Sequence, residues 1–260
     1  MNGKNLEVKV KGEEKFVKPS SGWLVLFLTL VGLIGGAALP ITMLANDGSD
    51  LWGLCFLIPV VSLVFMCGLF VVNPNESAVV TFFGKYVGTV VENGFFFMNP
   101  FTGKKNVSLR ARNLNGEPIK VNDKTGNPVM IGLVLVWRLR DTYKAIFDID
   151  TTVSSTEQAS GSATARMNKF EKFVAVQSDS ALREVAGMYA YDSDNESEVT
   201  LRDGSDEINQ KLKAKLNERL AMAGMEAVEA RINYLAYAPE IAAVMLRRQQ
   251  AAAIIAAREK

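Results

Sequence analysis

Two long runs without a charge do most to limit what this chain can fold into. Trp23 to Leu44 reads WLVLFLTLVGLIGGAALPITML, and Leu51 to Val72 reads LWGLCFLIPVVSLVFMCGLFVV, each 22 residues. About 20 apolar residues wound as a helix span the ~30 Å hydrocarbon core of a bilayer. Only ANDGSD separates the two runs, so the sequence predicts a tight antiparallel transmembrane hairpin, 23–44 and 51–72. Helices buried in a soluble core rarely run this long without a polar face. A cleaved leader fits poorly, because some 20 residues precede the first run and a second run follows at once.

Charge around the runs sets an orientation. Lys4, Lys9, Lys11, Lys15 and Lys18 precede the first run, and Lys85, Lys104, Lys105, Arg110 and Arg112 follow the second. The connecting loop has no Lys or Arg and contains Asp47 and Asp50. The positive-inside rule then places the N-terminal tail (1–22) and the large domain in the cytoplasm, on an inner or cell membrane crossed twice. Gly32, Gly35 and Gly36 are small enough to let the helices approach closely. Pro40 and Pro59 either kink the helices or let the hairpin turn back without crossing. Cys55 and Cys67, the only cysteines, fall inside the second run, where a free cysteine packs as a small hydrophobe. No disulfide framework follows from that placement.

Beyond Val72 the pattern changes to β. AVVTFF is rich in β-branched and aromatic residues and is punctuated by Gly84 and Gly88. Val107 to Leu114 alternates as one strand. NDKTGNP, Asn122 to Pro128, carries hairpin chemistry, with Gly126 available for a positive φ. VMIGLVLVWRLRD reads as a further strand. Ser77 to Asp141 is therefore expected to form one mainly antiparallel sheet. Between strands lies NGFFFMNPFTGKK. Its Phe95, Phe96, Phe97, Met98 and Phe101, followed by Lys104 and Lys105, read as a loop dipping into the lipid interface. Strand alternation would turn only some of these aromatics inward.

The second half reads as helical. Tyr143 to Ile149 is a short helix, Thr151 to Asn168 a polar loop, and Phe170 to Tyr189 an amphipathic helix. Ser205 caps a helix on which Ile208, Leu212, Leu216 and Leu220 recur every four residues, with Gly224 to end it. MEAVEARINYL alternates as a strand, Val228, Ala230 and Ile232 opposing Glu229 and Arg231. Pro239 opens an Ala-rich helix that carries no stop signal at Lys260. Ile241, Val244, Met245, Ala252 and Ile255 form its apolar stripe, a surface for packing between subunits.

PNESAVVTFFGKYVGTV, GFFFMNPF, VSLRARNL, VNDKTGNPVMI, VLVWRLRDTYKAIFDID, FVAVQSDSALREVAGMYAYD and INYLAYAPEIAAVMLRRQQAAAIIAARE together resemble the SPFH, or band 7, superfamily. That group includes stomatin, prohibitin, flotillin and bacterial HflK/HflC, and the likeness is to bacterial members with a two-span N-terminus. The resemblance implies an α+β fold: an N-terminal transmembrane helical hairpin (23–72), an SPFH domain of antiparallel sheet plus helices (73–237), and the start of a C-terminal coiled-coil helix (238–260). Relatives usually run on past this point. It also implies a large ring or cage of copies that organises membrane microdomains and holds or regulates membrane proteins, a membrane protease among them.

The remaining classes fit less well. Net charge is +1, so no global field points to nucleic acid. The chain has no His, which removes Ser-His-Asp and Cys-His catalysis and the commonest zinc ligand. No G-x-S-x-G, phosphate loop or metal-ligand cluster is present, so no catalytic residue, cofactor or metal is expected. A pore-forming or channel-modulating membrane subunit is the alternative, weakened by a connecting loop too short for a filter and by spans without charge.

Overall fold

The second charge-free run does not continue as helix to Val72. In the computed structural model, which describes residues 13–45, 57–149, 163–193, 198–203 and 206–259, helix α2 covers Leu57–Met66 and strand β2 covers Leu69–Val72. The turn between them closes on two backbone bonds, Cys67 N–H to Val64 O and Gly68 N–H to Phe65 O. Helix α1, Gly22–Ala45, has 24 residues and no charge. Its side chains are described without a break only as far as Gly36, and among the described residues no helix is long and apolar enough to cross a membrane. Residues 51–56, Cys55 among them, lie outside the described residues. Cys67 is exposed in the turn after α2 rather than packed.

The chain divides into two units, with one boundary at Leu109/Arg110 and another within α4 at Met167/Asn168. The single sheet expected over 77–141 is in fact three sheets.

The first unit holds α1, α2 and two three-stranded sheets. One has the order β1-β5-β2, with β1 at Ser20–Ser21 and β5 at Gly94–Phe97. The other has the order β4-β3-β6, with β3 at Glu76–Phe82, β4 at Lys85–Val90 and β6 at Thr102–Ser108. Val72, Ala78, Val80 and Val90 make its core, with Phe70, Phe96 and Met98 packed against them. The expected strand Val107–Leu114 is broken: β6 ends at Ser108 and β7 begins at Arg112, each in a different sheet. Alternation survives the break, and that is why the sequence read it as one strand.

The second unit is built on β9, Pro128–Leu139, whose Val129, Ile131, Leu133, Leu135, Trp137 and Leu139 are all buried. β7 (Arg112–Asn115) and β8 (Ile119–Asn122) pair with one edge of β9, and β10 (Met225–Tyr237) with the other, all antiparallel. The β8–β9 turn has Gly126 at φ 86°, as its turn chemistry requires. α5, Asp206–Leu220, lays Ile208, Leu212, Leu216 and Leu220 into the core, and Gly224 ends the following 3-10 turn at φ 65°. α3 spans Thr142–Phe147 and α6 Pro239–Glu259. α4, Ala163–Ala186, starts well before Phe170, so the end of the expected loop, 163–168, is helical; residues 150–162 lie outside the described residues. A bulge in β10 between Ala227 and Glu229 turns Val228 outward, so Ala227 and Ala230 rather than Val228 are buried.

Candidate membrane-contact site

The stretch GFFF folds as the central strand of a sheet. β5 pairs with β1 on one side, Ser21 opposite Phe96, and with β2 on the other, Phe70 opposite Phe96. β1 runs directly into α1, and β2 follows directly from α2. One strand therefore holds both the entry to the helical pair and its exit.

Alternation along β5 divides its aromatics between two faces. Phe95 meets Trp23 at the start of α1 edge-on, ring centroids 5.4 Å apart. Phe97 stacks on Phe65 at the end of α2, centroids 5.8 Å apart. Phe96 points the other way, to Phe70 at 6.1 Å and the core of the unit, and Met98 packs against that core too. A β-carbon on Gly22 would stand 2.7 Å from the Phe95 ring, and one on Gly68 would collide with the Phe97 ring, so both glycines permit this contact.

The helices meet through small residues. A β-carbon on Gly36 would stand 2.6 Å from Pro59 Cδ, and one on Gly32 would collide with Ser62 Oγ; Gly35 has nothing within 4 Å. Two of the three glycines thus lie in the contact.

Lys104 closes the end of α2. Its Nζ donates to Gly68 O at 3.0 Å and to Cys67 O at 3.4 Å, and it lies 4.8 Å from the centre of the Phe70 ring. A cation is favoured there by the carbonyls after α2, the negative end of the helix dipole and the Phe70 ring. Burial lowers its pKa, opposed by the neighbouring Cys67. Lys105 is exposed on the other face of β6.

Lys104 is paired with Val80, and Phe82 and Phe83 lie two and three residues further along the same chain. Phe82 is opposite Thr102, next to Phe101. Phe83 is 82% exposed and Phe101 64%, and Phe83 has φ 44°, a left-handed conformation uncommon for a bulky side chain. The Phe82 and Phe83 rings meet edge-on at 4.7 Å. The end of the β4-β3-β6 sheet at the β3–β4 turn is thus rimmed by aromatics. Sequence reading assigned Phe82 and Phe83 to a strand; Gly84, one residue on and at φ 81°, marks the turn that exposes them.

Three of the five stripe positions on α6, Ile241, Val244 and Met245, have described side chains. Ile241 and Met245 are half-buried and Val244 is exposed; Leu246 and Ile254, outside the expected stripe, are exposed as well. The side chains of Ala252 and Ile255 lie outside the described residues. At the root of α6 the Tyr237 ring stacks on Tyr191 at 3.9 Å and its hydroxyl donates to Asp192, and Lys120 bonds Glu240 at 2.6 Å. Burial, then Asp192, push the Tyr237 phenol well above its ordinary range. Among the described residues no group of three His, Cys, Asp or Glu side chains is placed to hold a metal ion.

An α+β domain with antiparallel sheets and an Ala-rich terminal helix agrees with one family model, SPFH domain / Band 7 family, which matches residues 70–260. The chain belongs to the SPFH/band 7 family. The match begins at Phe70 inside β2, so the family domain opens on the strand that leaves α2. Members of this family are in general membrane-associated scaffolds or regulators and not enzymes. No curated protein matches the chain significantly.

Proposed function

We propose that this SPFH protein is a scaffold anchored by the α1–α2 pair as a transmembrane hairpin, assembled from many copies into a ring or cage that organises lipid and holds or regulates membrane proteins, a membrane protease among the candidate clients. On this reading the N-terminal tail and the SPFH domain share the cytoplasmic side of the cell membrane. The observation that supports it is the stitching of β1 and β2 to β5, which keeps entry and exit of the apolar helices on one side. On this reading Phe83 and Phe101 enter the headgroup region, while Phe95 and Phe97 are covered by α1 and α2. Single cysteines in place of Glu13, Glu92 and Phe83, in a chain with Cys55 and Cys67 changed to Ser, test this in vesicles. A membrane-impermeant maleimide is expected to label positions 13 and 92 from the same side, and position 83 only after detergent is added. Labelling of 13 and 92 from opposite sides would refute the hairpin, and free labelling at 83 would refute the aromatic contact.

A further inference from the structure

Residues 13–21 run extended ahead of α1 and are tied to two sheets in succession. Thr89 N–H donates to Lys15 O at 2.7 Å and Val17 N–H to Thr89 O at 3.1 Å, so Phe16 pairs in parallel with the edge of β4. The Tyr86 hydroxyl donates to Lys15 O at 3.3 Å and lies 2.8 Å from Thr89 Oγ1. Gly88 makes room for the segment: a β-carbon there would run into Val17 Cγ2 and stand 2.9 Å from Lys15 O. Only Lys18 and Pro19 then separate Val17 on β4 from Ser20 on β5. A link that short keeps both attachments within one chain.

The two helices are not held equally. α2 leads into four paired residues of β2, and its end is further closed by Met98 N–H and Lys104 Nζ on Gly68 O. α1 is preceded by two paired residues of β1. Two residues of pairing are marginal alone, so the start of α1 is held by Trp23 on Phe95 together with the β4 contact just before it. That contact consists of two main-chain bonds and one tyrosine, a weak tie by the usual worth of such bonds.

We propose that Lys15–Val17 is a latch. Docked on β4, it keeps the start of α1 against β5. Undocked, it loosens the start of α1 while α2 stays clamped, and it also uncovers the edge of β4. The device gives the anchor one fixed and one movable helix, and it operates whether or not the pair crosses a bilayer.

The test uses the full chain in vesicles. Val17→Asp and Gly88→Ala, which undock the segment from opposite sides, are expected to raise amide hydrogen exchange across residues 20–27 about tenfold, the factor that one lost backbone bond accounts for. Exchange across 69–72 should change less than about twofold. Unchanged exchange at 20–27, or an equal rise at 69–72, refutes the selective hold.

Discussion

Asp123 shows how much a single side chain can fix. It is buried, and its carboxylate accepts from Thr125 N–H and Oγ1 at 2.9 and 2.8 Å, from Asn127 N–H at 2.8 Å, and from Tyr191 N–H at 3.0 Å. It thereby closes the β8–β9 turn and ties it to the chain that supports the root of α6. Burial alone would raise its pKa, but the donors from Tyr191, Thr125 and Asn127 outweigh that and hold it below its ordinary value. An aspartate depressed in the folded state adds stability above its ordinary pKa and loses it as pH falls through the folded-state value. Asp123→Asn keeps the shape but sets an amide N–H₂ against at least one of these donors, so it is expected to cost about 2–3 kcal/mol at neutral pH. Melting curves of the detergent-solubilised chain at pH 7 and at about pH 2, well below the ordinary carboxylate range, test this. The gap between wild type and variant should be wide at pH 7 and narrow in acid; a gap independent of pH would show that the charge does not matter. NDKTGNP announced the turn, but only the fold brings Tyr191 to it.

At the scale of elements, the apolar helices pack on two glycines and not on the third. Gly36→Ala is expected to separate α1 from α2, as a β-carbon there stands 2.6 Å from Pro59 Cδ and 3.1 Å from Ile58, an overpacking that costs about 1–3 kcal/mol. Gly35→Ala, with open space around it, should be neutral or stabilising, since alanine is the better helix former. Denaturation in sodium dodecyl sulfate micelles separates the two: equal effects would mean that the helices do not meet as described. The three glycines were legible as a group, whereas which of them face the partner depends on helix phase. The same limit governs the strands. Leu69–Val72 is as apolar as the helix before it, and hydropathy does not distinguish a buried strand from a helix end; what decides is that β5 offers four residues of ladder. Likewise, FFF read as a loop because three consecutive aromatics hide the alternation that puts Phe95 and Phe97 on one face and Phe96 on the other. By contrast, the β8–β9 turn, β9 and the leucine spacing of α5 were clear, since each carries its own period and stop signals. The bulge that exposes Val228 follows from pairing with β9, which alternation within β10 does not encode.

For the whole molecule, the question is what α6 is for. Its root is fixed: Ala238 N–H donates to Pro128 O, Lys120 bonds Glu240, and Tyr237 stacks on Tyr191. Further along, Val244 is 65% exposed, Leu246 56% and Ile254 58%. Val244 lies on one side of α6 and Leu246 and Ile254, eight residues apart, on another, and large apolar side chains left exposed on a helix favour a surface that another chain covers. An SPFH scaffold that works by gathering copies needs such a surface, and the family match runs through this helix to residue 260. The chain's own domain does not bury these side chains, which favours packing between subunits over a helix folded back. Val244→Asp together with Leu246→Asp changes no residue at the root of α6 and leaves the core of the second unit intact. It is expected to reduce the assembly to one or a few subunits, as is ending the chain at Tyr237. Native mass measurement of the detergent-solubilised protein reads the outcome directly. If the double variant kept full size but the truncation did not, the contact would lie elsewhere on α6, towards Ile241, Met245, Ala252 and Ile255. If both kept full size, assembly would have to run through the sheets, and α6 would lose its role as the joining element.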